Sequence, residues 1–101
     1  MDPITLAILA AVVFTAIAIV IELIVLTIEW LTEQFQKLRT GNKDEVGFTI
    51  RQAIEKGEVE IIQGVFNKET NKIVAAQKIK SQQLDATLKE AHNRSQVIVY
   101  T

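Results

Sequence analysis

Between Ile4 and Ile28 the sequence holds twenty-five positions with a single ionisable side chain, Glu22. No other feature constrains the fold as much. A helix rises about 1.5 Å per residue and needs roughly 20 apolar residues to cross a bilayer, so a run of this length predicts a tilted spanning helix. Sixteen of the twenty-five are Ile, Leu, Val or Phe. Near the centre of a bilayer such residues together contribute about −5 to −10 kcal/mol. Glu22 opposes this with about 3 kcal/mol, and insertion is favoured. A cleavable signal peptide fits less well, because Met1, Asp2 and Pro3 supply no basic residue. Cutting after Ala16-Ile17-Ala18 would also leave a long apolar stub from Ile19. The expectation is a retained, single-pass anchor with membrane lipid as its first partner.

Lys37, Arg39 and Lys43 follow the run, whereas its other flank carries only Asp2 and the terminal amine. The positive-inside bias then places the N-terminus outside and the C-terminal domain in the cytoplasm. Trp30, just past the apolar run, is the expected anchor in the headgroup layer. Helical apolar spacing continues through Leu31, Phe35 and Leu38, and Thr40-Gly41-Asn42 supplies a stop. Residues 1–40 are accordingly read as a transmembrane helix with a cytoplasmic extension, running from about Ile4 to Arg39. Residues 41–101 form a small α+β cytoplasmic domain.

Within that domain Thr49-Ile50-Arg51-Gln52 fits a capping box, with Phe48 and Ala53 as a staple and Gly57 ending a short helix. Val46, Phe48 and Ile50 also alternate, so a strand there stays open. Glu58 to Phe66 and Lys72 to Ile79 read as strands of a hairpin around the polar turn Asn67 to Asn71. Ser81 is a plausible N-cap for a helix to about Asn93 with a stripe of Leu84, Leu88 and Ala91, and Gln96 to Tyr100 forms a last strand. The predicted fold class is α+β with an N-terminal transmembrane helix: one long span, then a β-hairpin–α–β unit with a three-stranded sheet of order 2-1-3. One helix covers one sheet face, and the other face needs cover from the short helix or a neighbouring subunit.

Little in the composition proposes chemistry. The chain has no cysteine, one histidine (His92), and a formal net charge of −1 with acids and bases interleaved. That argues against thiolate chemistry, cysteine-based metal sites and nucleic-acid binding. No Gly-rich phosphate loop and no Ser-His-Asp set occurs, and His92 beside Glu90 and Arg94 reads as solvated. Glu58 and Glu60 on one strand face read as solubility charges, and Gly64 as the mark of a bulge. No enzyme activity, cofactor or metal is expected.

The membrane helix holds the one constellation that stands out. At about 100° per residue, Ala7, Ala11, Thr15, Ala18, Glu22, Glu29, Glu33 and Gln36 share an arc of roughly 80°. Ala7, Ala11, Thr15 and Ala18 make a helix-packing face of small residues. Glu22 and Glu29 are its intramembrane polar positions, and an interior-facing carboxylate is the default in lipid. The function this implies is structural: an assembly or accessory subunit that self-associates as a homo-oligomer or docks on a membrane complex through its helix. The alternative is a homo-oligomeric cation or proton channel using Glu22.

Overall fold

The computed structural model describes residues 2–55 and 58–100. Asp2 and Pro3 start the first helix, α1 (Pro3–Val13): the Asp2 carboxylate accepts from the Thr5 backbone N–H at 2.9 Å and from its hydroxyl at 2.8 Å. Proline at the first helical position has no N–H to leave unpaired. The helix stops at Phe14, and the Thr15 hydroxyl donates back to the Ala11 carbonyl at 2.9 Å. From Ile17 to Val25 six of nine residues are Ile or Val. Branching at Cβ restricts such side chains in a helix and suits them to a pleated surface. This stretch forms β1 (Val20–Leu26). Thr27 then caps α2 (Ile28–Leu38), its hydroxyl accepting from Trp30 N–H at 3.1 Å.

The single helix expected from Ile4 to Arg39 is therefore corrected to helix, strand, helix. Each helix has 11 residues, about 16 Å of rise against a hydrocarbon core of about 30 Å. Among the described residues no helix is long and apolar enough to cross a membrane. The expectations of a transmembrane, single-pass membrane protein, with its N-terminus outside and its C-terminal domain cytoplasmic, lose their basis with that helix.

After α2 the chain continues as β2 (Glu45–Glu55), β3 (Glu58–Asn67), β4 (Lys72–Leu84), α3 (Ala86–Arg94) and β5 (Val97–Tyr100). The proposed short helix after Thr49 is strand β2, in the alternating pattern of Val46, Phe48 and Ile50; Gly57, its expected stop, lies outside the described residues. Asn67 organises the β3–β4 turn, its side-chain oxygen accepting from the N–H groups of Glu69 and Thr70, while Asn71 takes φ +57°. Asp85, not Ser81, caps α3, because β4 runs on to Leu84.

All five strands share one sheet, ordered β1-β4-β3-β2-β5, with β1 parallel to β4 and the other pairs antiparallel. The order 2-1-3 does not hold, since β2 lies between β3 and β5, and β1 extends the sheet beyond β4. Side-chain alternation gives each face its own core. On one face α1 sends Ile8 down onto Val46, Phe48, Ile50, Ile62, Phe66 and Val97. On the other, Leu31 of α2 and Leu88 of α3 meet Leu26, Val59, Ile61 and Ile79. The face that lacked cover in the sequence is covered by α1, the segment assigned to the membrane.

Candidate functional site

The small-residue face takes on a different role in this architecture. Ala7 and Ala11 pack against the Phe48 core, so their small size lets α1 approach its own sheet. Thr15 is half-buried with its hydroxyl returned to the helix, and Ala18 is exposed in the connection to β1. Glu22 stands exposed on β1, in register with Lys80 of β4. Glu29 lies in the first turn of α2, where a negative side chain complements the helix dipole. Glu22 and Glu29 therefore share no helix face. Trp30 is half-buried against the Ile61–Ile79 core.

What the structure leaves outside instead is much of the apolar N-terminal run, β1 included. Eleven large hydrophobic side chains are exposed among the described residues, and nine of them lie between Ile4 and Ile28. Phe14 is 89% exposed, Val13 76% and Ile24 70%, and Ile19, Val20 and Val25 are exposed as well. β1 is also an edge strand of seven residues. Edge strands normally carry lysine, proline or a bulge, or are very short, which keeps them from pairing with other chains. Here β5, the opposite edge, has four residues. β1 has neither proline nor lysine, and Glu22 is its one charge.

Away from this edge, the polar interior is closed on itself. Gln63 is fully buried on β3, where its amide donates to the Leu31 carbonyl at 2.9 Å and the Tyr100 hydroxyl at 3.0 Å. Its oxygen accepts from Gln77 at 2.8 Å. The Tyr100 ring meets Phe35 edge to face at 5.6 Å, and burial raises its hydroxyl pKa despite the Gln63 contact. Glu45 is buried under the 40–42 loop, accepting from the Thr40 hydroxyl and from the N–H groups of Thr40, Gly41 and Asn42. Burial disfavours its charge, but these donors outweigh it and hold the carboxyl below its usual value. Gly41 sits at φ +99° in that loop, a conformation favouring glycine.

His92, read from sequence as solvated, is 1% exposed. Its Nδ1 lies 3.2 Å from the Ser95 carbonyl, which can only accept, so that nitrogen is assigned the proton. Nε2 then accepts from the Thr49 hydroxyl at 3.0 Å. Burial lowers the His92 pKa most, and the Arg51 charge adds to it, against the raising effect of the Ser95 backbone. Among the described residues no three His, Cys, Asp or Glu side chains gather to hold a metal. Comparison with protein-family models, with curated proteins and with solved structures returns no match.

Proposed function

We propose that this chain is a non-catalytic assembly module whose β1 edge pairs with β1 of a second copy, joining two sheets into one. The observation that carries this reading is the unprotected apolar edge: a seven-residue strand with one charge, on which Val20, Ile24 and Val25 are exposed, with exposed Ile19 just before it. A second copy is the partner that matches it best. An isologous contact sets the same patch against itself, and an almost uncharged strip is self-complementary. Like charges directly opposite across a ladder are destabilising, which disfavours antiparallel pairing centred on Glu22. Centring on Leu23 instead sets each Glu22 opposite Ile24 of the other copy. A stable interface takes about 800 Å² per partner, roughly an eighth of the 6155 Å² surface of the chain.

The test is the particle mass by light scattering across a concentration series. Wild type is expected to dimerise, and Ile24→Lys to be monomeric with an unchanged far-UV spectrum. A wild type that stays monomeric at about 100 μM, a concentration at which a μM-affinity dimer is well populated, overturns the reading. So does an Ile24→Lys variant that dimerises as before.

A further inference from the structure

On the opposite side of the sheet from α1, the last turns of α3 stand beside Arg51 of β2, the start of β3 and the end of β4, and together they line an open cavity of about 270 Å³. Its walls come from four elements. Arg51 projects from β2, Val59 from β3 and Leu84 from the end of β4, while Lys89 and Asn93 share one face of α3, four residues apart. Among the described residues that line it, two are cations and none is a carboxylate. Arg51 is held in place by its backbone, whose N–H donates to the Gln96 carbonyl at 2.9 Å. The two ion pairs among the described residues, Lys78–Glu60 and Arg94–Glu90, involve neither Arg51 nor Lys89.

We propose that this cavity binds a small organic oxyanion, a carboxylate or phosphate ester carried on a short apolar body. The guanidinium of Arg51 suits a planar or tetrahedral oxyanion through paired N–H donors, and Lys89 adds a point charge from the facing helix. The Asn93 amide and that of Gln83 supply neutral polar groups at the rim. Val59 and Leu84 form an apolar wall for the rest of the ligand. A few polar groups converging on a partly apolar concavity is the usual make-up of a small-ligand site.

His92 forms part of the lining, with both ring nitrogens already committed to Thr49 and Ser95. Arg51 and His92 line the same cavity. His92 is therefore a neutral reporter within the site, and the cations do the binding. The site needs no second copy of the chain and stands apart from the reading of β1.

The experiment is an NMR titration of the full chain with phenyl phosphate, benzoate and inorganic phosphate, following the His92 ring and the amides of Arg51 and Lys89. Saturable shifts are expected with phenyl phosphate or benzoate, and the tighter of the two identifies the headgroup. Inorganic phosphate, which cannot use the apolar wall, should bind at least about tenfold more weakly than phenyl phosphate, as expected from burying a ring. Arg51→Gln and Lys89→Gln should each weaken binding at least about tenfold, the lower end of the scale of one lost charge-assisted hydrogen bond. Lys89 is exposed, so its variant decides the matter if Arg51→Gln proves unstable. Arg94→Gln, whose guanidinium pairs with Glu90 outside the cavity, should bind as wild type does. Absence of saturation with every probe overturns the proposal, and so does an equal loss in Arg94→Gln.

Discussion

Replacing Gly64 with alanine should be among the most damaging small substitutions in the chain. A Cβ added there would lie 2.4 Å from the Ala75 carbonyl oxygen and 2.7 Å from Cζ of Phe48. Both distances are far inside contact, and the two obstacles differ. The Phe48 ring belongs to a side chain that has some freedom to tilt. The Ala75 oxygen belongs to the backbone of β4, whose position is fixed by the β3–β4 ladder and by the register shift after Val65. Overpacking of a filled core costs about 1–3 kcal/mol, and a clash with backbone falls in the upper part of that range. For a domain near 100 residues each kcal/mol moves Tm by roughly 4–8 °C, so a loss of about 10–20 °C is expected. Urea unfolding followed by far-UV circular dichroism measures the same quantity, with an unchanged m-value showing that only stability has moved. Combining Gly64→Ala with Phe48→Leu removes the ring contact and leaves the carbonyl contact. The double variant should therefore remain less stable than Phe48→Leu alone. Equal stability of those two, or a Gly64→Ala change below about 0.5 kcal/mol, the usual span of harmless surface substitutions, would refute the account of this crossing.

Three further outcomes follow from the polar side chains. Gln63→Leu keeps the volume but leaves the Tyr100 hydroxyl without its amide donor and Gln77 without its buried acceptor, so unfolding experiments should show a loss of about 2–4 kcal/mol. The Asp85 carboxylate accepts from Leu88 N–H at 2.7 Å and from Ile28 N–H at 3.0 Å, tying the starts of α3 and α2 together. Asp85→Ala should therefore cost about 2 kcal/mol, more than an ordinary cap of about 1, with exchange of the Ile28 and Leu88 amides accelerated together. The His92 pKa is held below its ordinary 6.5 by burial and by Arg51. The unfolded state therefore binds the extra proton first. Stability from the neutral imidazole is complete above about 6.5 and is lost as pH falls from there toward the folded value, by at most about 1.4 kcal/mol per pH unit. His92→Gln should flatten that part of the pH–stability curve, and parallel curves for variant and wild type between pH 7 and 5 would contradict the assignment.

The β3–β4 hairpin stands where alternation and the Asn67 turn place it, and Leu88 faces the core as its helical spacing requires. Residues 4–28 are a different case. A stretch apolar at nearly every position has no periodicity, so helix and strand cannot be told apart by pattern. The signals that do separate them are local: Asp2-Pro3 opening α1, the Ile/Val density from Ile17 to Val25, and Thr27 capping α2. The transfer energy that favours a bilayer for this run favours an apolar sheet equally well, so hydrophobicity alone does not choose between them. Gln63 and Gln77 share a strand parity with Ile61 and Ile79, which was the available sign that these amides face inward. The burial of His92 had no such sign, because it depends on Thr49 of a strand forty-three residues away. The exposed surface around β1 was equally illegible, since a uniformly apolar run does not say which of its side chains the fold leaves outside.

The position of β1 has a consequence for how the chain is made. Its partner in the sheet is β4, and Val20 pairs in register with Lys78, fifty-eight residues further on. At about 5–20 residues per second, ribosomal synthesis takes roughly 3–12 s to deliver that partner. Until then Val20 to Leu26 has no strand to join, and the β-hairpins downstream can form without it. β1 is thus synthesised well before its partner and is among the last elements to find its place, an order that raises contact order and slows folding. During that interval the nascent chain displays its most aggregation-prone segment to whatever is nearby, so the cell must shield it or the chain must finish before an encounter does.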